Sequence, residues 1–536
     1  MGPTGCASPD MAWRREQDGY LKAILTAKVY RIALETPLQE AKALSKALGN
    51  TVLLKREDLQ PVRSFKVRGA YNRMCRLTPE QLVRGVICSS AGNHAQGVAL
   101  AAKTLGCTAV ICMPFNSPEI KIAAVKELGG TVELVGESFY EAQIHAQKRA
   151  ADEGLTFISA YDDPFTVAGQ GTIGLEILRQ SDMDNIDYIF VPIGGGGMIA
   201  GIAAIVKALK PEVQVIGVEP TGANAMAQSL VRGERVTLNK VDAFADGVAI
   251  KLPGAEPFRL CRELLDGVVM VDNSAISTAI KDVFNETRSI LEPAGAVAVA
   301  GAKAMLGYYG LKGKRVVAVT SGANMNFDRL RLVSELVDVG SAETMLAASV
   351  PDHNGAIVQL LELASLQDGR PMDVTELKYR YTDGAGRRGT ARMLLGLGVP
   401  PGGRPCRELL QRINAQEGFY ATDVSDMDLA QVHLRHMIGG PAMQNGDCLQ
   451  DERIFKVDYP ELPGMLARLL EPISPRFDIT LLHFRKTGNR SATALLGLRL
   501  PPGEVADFWQ AVGALNAEYS FTELSEREHS VFTMFI

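Results

Sequence analysis

Three times along this chain a short run of β-prone residues breaks into glycine and small polar residues, and twice an apolar helix follows at once. Val86-Ile87-Cys88-Ser89-Ser90 runs into Ala91-Gly92-Asn93 and a helix from His94 through Ala102. Tyr188-Ile189-Phe190-Val191-Pro192 runs into Gly194-Gly195-Gly196-Gly197 and a helix from Met198. Val316-Val317-Ala318-Val319-Thr320 ends at Ser321-Gly322-Ala323-Asn324. Between the first two, the residues from Ala109 to Met113 and from Thr131 to Val135 read as strands, each followed by a helix (Pro118 to Leu128, Ser138 to Glu153). Strand, helix, strand, helix demands a parallel sheet with helices on both faces. In open sheets of that kind, ligands collect at the C-terminal ends of the strands, so the three turns are the places to look for chemistry.

Each turn suits a different group. Ser90-Ala91-Gly92-Asn93 brings backbone N–H groups together at a helix start, a concavity that takes a carboxylate; a tight turn that needs glycine for geometry reads equally well. Asn93 adds a side chain able to donate to a phenolate oxygen. Gly194 to Gly197 let bare backbone wrap a small dianion, with the helix behind supplying its positive end. A glycine run can also be a flexible loop, but such loops seldom follow a buried strand and open an apolar helix, so phosphate is favoured. The G-x-G-x-x-G register of a dinucleotide site is not met. His94 invites a general-base role, but a histidine in a first helical turn reads better as structural.

A fourth stretch precedes these. Thr51 to Leu54 reads as a short buried strand ended by the charged run Lys55-Arg56-Glu57-Asp58, and from Ser64 the pattern turns helical. Ser64 would cap the N–H groups that follow, placing Lys66 in the first turn. A cation is disfavoured there, which favours a neutral, nucleophilic amine. Taken alone, Lys66 beside Arg63 and Arg68 would read as part of a solvated basic surface.

The words Ser-Phe-Lys-Val-Arg-Gly-Ala-Tyr at 64–71, followed in order by the three turns, resemble the fold-type II pyridoxal-phosphate enzymes in the threonine dehydratase branch. The resemblance implies a tryptophan synthase β-like catalytic domain of two parallel-sheet lobes, over residues 1–340 with a small lobe inserted at about 55–155. It implies that Lys66 carries pyridoxal 5′-phosphate as its Schiff-base lysine and acts as the base. It also implies that Asn93 meets the cofactor's 3′ oxygen, that Gly194, Gly195, Gly196, Gly197 and Met198 hold its phosphate, and that Ser321 faces the pyridine nitrogen. Ser90, Ala91, Gly92 and Asn93 would receive the substrate carboxylate. A hydroxyl opposite the pyridine nitrogen leaves the ring a weaker electron sink than a carboxylate would. The residues from Asp246 to Lys251 and from Glu292 to Ala296 match as wall and floor; Glu292 reads equally as a carboxylate stabilised by a helix dipole.

Beyond about Gly340 an internal repeat appears. Pro351-Asp352-His353-Asn354-Gly355 parallels Pro460-Glu461-Leu462-Pro463-Gly464, each before an amphipathic helix; Leu377-Lys378-Tyr379-Arg380 parallels Leu482-His483-Phe484-Arg485, and Leu394 to Leu397 parallels Leu495 to Leu498. Each copy reads βαββαβ, a ferredoxin-like unit, at 345–428 and 452–536, with a linker helix and loop at 429–451. The pair resembles the tandem ACT-like regulatory domains of biosynthetic threonine dehydratase. His433 and His436 in the linker lack a second pair of ligands for zinc.

Composition bounds the rest. With 46% hydrophobic and 22% charged residues and a net charge of −5, the chain shows no basic block for nucleic acid. Its eight cysteines follow neither CxxC nor disulfide-framework spacing and read as reduced core residues. The first 19 residues lack the apolar core of a signal peptide, and apolar runs elsewhere are too short for a membrane span; a cytoplasmic protein is expected. The resemblance implies a lyase converting L-threonine, and L-serine as well, to the 2-oxo acid and ammonia, as the committed step of isoleucine biosynthesis. Isoleucine would inhibit, valine would oppose it, and a homotetramer is implied. The alternatives are a serine/threonine dehydratase of other physiological role, or an amino-acid-sensing protein on a dead enzyme scaffold. No metal is expected.

Overall fold

The computed structural model describes residues 9–532 apart from 17, 182–185, 342, 352–358, 361–362, 365–373, 381–389, 399–405, 426, 428–442, 445–446, 449–450, 461–468, 470–471, 474–475, 478, 485–490, 514 and 516–517. The chain forms two compact units, Met1–Phe327 and Asp328–Ile536.

The first unit contains two sheets. The larger runs Leu38–Glu40, Thr51–Lys55, Arg315–Val319, Tyr188–Pro192, Gln214–Pro220, Gly267–Val271 in spatial order. Only the edge strand Leu38–Glu40 is antiparallel to its neighbour; the others pair in parallel, with Val317 opposite both Leu53 and Ile189. The smaller sheet is wholly parallel, in the order Thr131–Leu134, Ala109–Met113, Val86–Ser89, Thr156–Phe157. Ala109–Met113 and Tyr188–Pro192 occupy the residues the apolar runs predict. The Phe139–Glu153 helix starts one residue after Ser138, because the Ser138 hydroxyl caps it by accepting the Glu141 N–H at 3.2 Å. Strands such as Arg-Val-Val-Ala-Val at 315–319 are apolar on both faces since helices cover both. The core of the large lobe packs Ile189, Val191, Ile199, Ile202, Val317 and Val319 together. A separate core in the small lobe holds Met74, Val86, Val98, Ile111 and Val125.

The charged run after the first strand is not on the surface. Lys55, Arg56, Glu57 and Asp58 are all buried. Lys55 Nζ donates to Glu176 at 2.6 Å, while Arg68, fully buried, bonds Glu57 at 2.7 Å and Glu176 at 2.5 Å. Burial alone would raise the Glu57 carboxyl and lower the Arg68 guanidinium; each partner overrides it, so Glu57 is held low and Arg68 high. Arg68 is thus a buried strut that ties the Lys66–Met74 helix to the Pro164–Gln180 helix, not a member of a basic surface.

The second unit begins with the helix Asp328–Ser341 and holds two four-stranded antiparallel sheets. In the first the spatial order is Val374–Arg380, Thr390–Gly398, Glu343–Pro351, Tyr420–Asp423; in the second it is Ile479–Phe484, Ser491–Arg499, Glu452–Pro460, Ser520–Glu523. In both, the fourth strand lies beside the first, as a βαββαβ unit requires. The copies share even an irregularity, a register shift between Val374 and Glu376 in one and between Ile479 and Leu481 in the other. Alternate residues of each sheet face its own core, Leu346, Ala348 and Leu395 in one and Phe455, Val457 and Leu496 in the other. The intervening residues Met345, Ala347 and Leu394 join Ile454 and Leu495 in a third apolar cluster common to both copies.

The segments 352–355 and 461–464, His433, His436 and residues 1–8 lie outside the described residues. Within 429–451, where a linker helix and loop is expected, the described residues Met443–Gln444 and Asp447–Cys448 pair as an antiparallel hairpin. Cys75, Cys88, Cys107, Cys112 and Cys261 are unpaired thiols. Among the described residues no helix is long and apolar enough to cross a membrane.

Candidate active site

Lys66 is the first residue of the Lys66–Met74 helix. Its backbone N–H donates to Ser64 Oγ at 3.3 Å, although Phe65 rather than Ser64 is the boundary residue. The Lys66 amine donates to the Ala160 carbonyl at 3.0 Å and lies 5.1 Å from the Phe65 ring centroid. Burial pushes it down to about 8, against the opposing charge of Glu292. An amine so placed exchanges its proton near neutrality, as a nucleophile or base must.

The C-terminal end of the Arg315–Val319 strand is laced to the segment before Lys66. Phe65 N–H donates to the Ser321 carbonyl at 3.2 Å, and Ala323 N–H to the Arg63 carbonyl at 2.9 Å, where Arg63 takes a left-handed turn at φ 52°. Ser321 is buried, and its hydroxyl donates to the Ala294 carbonyl at 3.3 Å.

Asn93 stands at the start of the Asn93–Leu105 helix. Its Nδ2 donates to Glu292 Oε1 at 2.5 Å, and its Oδ1 accepts from Asn324 Nδ2 at 2.6 Å. Asn324 Nδ2 also donates to the Val62 carbonyl at 2.8 Å. A carboxylate and a carbonyl only accept, so Glu292 and Val62 between them fix which way both amides face. One Asn93 N–H is then left for a ligand. In the same turn Gly92 N–H donates to Ser90 Oγ at 3.2 Å, and a Cβ at Gly92 would have no neighbour within 4 Å. That turn therefore has open space beside it. Gly97, one turn along the helix, lies against the backbone of Lys66 and Val67, where a Cβ would sit 3.2 Å away.

The glycines of 194–197 have neighbours that sequence alone did not reveal. A Cβ at Gly195 would lie 2.2 Å from the Tyr161 ring, one at Gly197 2.8 Å from the Tyr161 carbonyl, and one at Gly194 2.9 Å from Val248. Gly196 has φ 91° and caps the Gly197–Leu209 helix. The loop is accordingly held on a fixed path, with Met198 buried in the first turn behind it. Tyr161 follows Ala160, whose carbonyl takes the Lys66 amine, so this loop adjoins the same site. His94 is buried with Nε2 on the Ile158 carbonyl at 2.9 Å, and burial, reinforced by the Lys66 charge, pushes its imidazole down to about 3. It remains neutral at physiological pH, in keeping with a structural role.

The structure brings Lys66, Ser90 to Asn93 and Ser321 to one place, with Gly194 to Met198 adjoining through Tyr161. Ala160 and Tyr161 escaped sequence reasoning because they belong to no motif; the short strand Thr156–Phe157 before them was the only signal. These residues suit pyridoxal phosphate: a buried amine poised near neutrality, an amide with its flip fixed, an open glycine turn and a rigid glycine loop at a helix start.

Comparison with known proteins bears on this directly. Residues 30–322 match the model of the pyridoxal-phosphate dependent enzymes, and residues 447–531 match the C-terminal regulatory domain of threonine dehydratase. The chain is 52% identical over 510 residues to threonine dehydratase 1 biosynthetic of Solanum lycopersicum, covering 95% of this chain and 81% of that one. The chain belongs to the threonine dehydratase family. The biosynthetic threonine dehydratase of Escherichia coli K12 is 41% identical, over 90% of this chain and 91% of its own. Among solved structures, the processed threonine deaminase isoform 2 of Solanum lycopersicum superposes with a TM-score of 0.60 at 51% identity, covering 62% of this chain and 90% of that one. Maize serine racemase superposes with a TM-score of 0.55 at 32% identity, covering 58% of this chain and 96% of that one. As a threonine dehydratase the chain is a pyridoxal-phosphate-dependent lyase with a C-terminal regulatory region, on a fold-type II scaffold.

Proposed function

We propose that the enzyme deaminates L-threonine to 2-oxobutanoate, the committed step of isoleucine biosynthesis, accepts L-serine as well, and is inhibited by isoleucine with valine opposing. The observation that carries this reading is the Lys66 amine, held near neutrality in a knot that also contains Asn93 and Ser321. Lys66 would hold the cofactor covalently, Asn93 would donate to its 3′ oxygen, Gly194 to Met198 would take its phosphate and Ser321 would face its ring nitrogen. When bound, pyridoxal phosphate supplies an electron-withdrawing ring that accepts the electrons released at the substrate Cα.

The chain's own residues do the rest. The Ser90 to Asn93 turn grips the substrate carboxylate and fixes the Cα–H bond toward Lys66. The Lys66 amine, once free of the cofactor, takes the Cα proton, for which a group titrating near 8 is suited. The β-hydroxyl then departs as water, and a water returns when the product is hydrolysed, so the net loss is ammonia. Neutral His94 takes no proton in this sequence.

Regulation is assigned to the duplicated units at 345–428 and 452–536, and the assembly to a homotetramer, as the family resemblance implies. We place the enzyme in the cytoplasm, a reducing compartment in keeping with the unpaired Cys75, Cys88, Cys107, Cys112 and Cys261; the printed names of plant relatives place those proteins in chloroplasts.

The deciding experiment is a threonine saturation curve, with and without isoleucine, for the full chain and for residues 1–327. Full-length enzyme should need more threonine when isoleucine is present, and the truncated one should turn over threonine regardless of it. Equal inhibition of both would place the effector site in the first unit, and no threonine turnover by the full chain would overturn the substrate assignment.

A further inference from the structure

We propose that the small parallel sheet carries a site for a divalent cation of the zinc class, with Cys112, Glu133 and His145 as its ligands. Cys112 lies on the Ala109–Met113 strand, Glu133 opposite it on the Thr131–Leu134 strand, and His145 on the Phe139–Glu153 helix that covers them. The thiol sulfur, a carboxylate oxygen and an imidazole nitrogen lie within 4.8 Å of one another. Cys112 Sγ is 3.9 Å from Glu133 Oε2, and His145 Nε2 is 2.9 Å from Glu133 Oε1. Ligand bonds of about 2.0–2.3 Å put tetrahedral ligand atoms some 3–4 Å apart. The trio therefore needs to open by less than about 1 Å between His145 and Glu133.

The donor set selects the metal. Sulfur, imidazole and a single carboxylate suit zinc better than calcium or magnesium, which want oxygen alone. Three protein ligands leave the fourth position to water. Glu133 and His145 are about a third exposed, at 31% and 36%, so a cation can enter from solvent. Arg149 is the charged neighbour that has to be reckoned with. It bonds Glu133 Oε2 and donates to Glu153 at 2.6 Å. By holding Oε2 it fixes the carboxylate plane and leaves Oε1 facing His145 Nε2, the part an outer partner plays in a metal site. Its charge is offset by Glu153. On binding, the Cys112 thiol loses its proton to solvent, and a dication with one thiolate and one carboxylate is neutral, so nothing uncompensated is created. Cys112 itself packs with Ile87, Ala142 and Ala146, with its sulfur at the edge of that cluster nearest Glu133.

The site is one strand from the catalytic turn. The Cys112 carbonyl accepts the Ser90 N–H at 3.1 Å, and Cys112 is the register partner of Ser89. A metal that fixes Cys112 thereby acts on the turn that grips the substrate carboxylate, a consequence resting on the role proposed for Ser90 to Asn93. Bound zinc should therefore change KM for threonine.

The test is equilibrium dialysis of the holoenzyme against Zn2+, with metal counted per chain. Wild type should bind one equivalent more than either Cys112→Ser or His145→Gln, and Co2+ in its place should give visible d–d bands that both variants lose. His145→Gln, changed at a part-exposed position, guards against a folding defect in the buried Cys112 variant. Equal zinc content in wild type and both variants would overturn the site. Where the extra equivalent is bound, KM for threonine should shift by about fivefold or more in wild type and not in His145→Gln; an unchanged KM would leave the site standing and overturn its link to the carboxylate turn.

Discussion

Glu292 Oε1 accepts a hydrogen bond from Asn93 Nδ2 at 2.5 Å, across 199 positions of sequence. The same carboxylate raises the Lys66 amine, against the larger lowering effect of burial. One group thus sets both the orientation of the amide beside the cofactor and the proton affinity of the lysine. Glu292→Gln keeps an acceptor for Asn93 but removes the charge. The Lys66 titration should then move to lower pH, which can be read as an acid shift in the pH dependence of pyridoxal phosphate capture by the apoenzyme. An unmoved midpoint would mean that Lys66 does not feel Glu292.

Lys66→Ala should abolish the visible absorbance of the bound cofactor and lower threonine turnover by at least about 10²–10⁴-fold, the range for losing a positioned base. Cofactor absorbance and turnover near wild type would remove Lys66 from the site.

The apoenzyme should show the cost of placing an amine here. The ordinary lysine value of 10.5 is lowered to about 8 in the fold, so between those values the unfolded chain holds a proton that the native chain has released. Stability rises with pH wherever the unfolded state binds more protons. Relative to apo Lys66→Met, the melting temperature of apo wild type should therefore climb from about pH 8 toward 10.5 and be flat below pH 8. A difference that is constant across this range would contradict the lowered value.

Arg68 reaches two carboxylates with no exposure to water. Removing one member of such a cluster strands the others. Arg68→Met should lower unfolding free energy by about 3–5 kcal/mol, read from the denaturant midpoint of the purified protein. A loss below ~1 kcal/mol would show that the cluster is wet and weak.

Gly195→Ala drives a methyl group into the Tyr161 ring. It should cost about 1–3 kcal/mol by overpacking, with part of that recovered when Tyr161→Ala is added, since contacting residues are not additive. Simple additivity in the double variant would place the strain elsewhere.

What was legible in the sequence was local. The strand Tyr188–Pro192 and the helix behind it follow from apolar runs meeting glycine, and Lys66 and Asn93 stand out because each begins a helix after a turn. What was not legible came from distant partners. Lys55 to Asp58 read only as the charged run that ends a strand; Arg56 pairs with Asp58 close by, but Lys55 is matched by Glu176, 121 positions beyond it, and Glu57 by Arg68. Glu292 stayed ambiguous between helix cap and site residue for the same reason, and Tyr161 carries no pattern at all. The four glycines at 194–197 were visible, but their sequence suggested room for phosphate, whereas a tyrosine ring and a valine also demand them.

The apolar cluster common to the two antiparallel sheets has an evolutionary consequence. Met345, Ala347 and Leu394 from one copy share it with Ile454 and Leu495 from the other, so selection for a stable fold acts on this seam in both halves of the duplication at once. The outward surfaces of the two copies carry no such joint constraint. Mutations there can accumulate in one half while the other keeps its sequence, so a duplicated unit can diverge in what its surface recognises without losing the fold that both copies share.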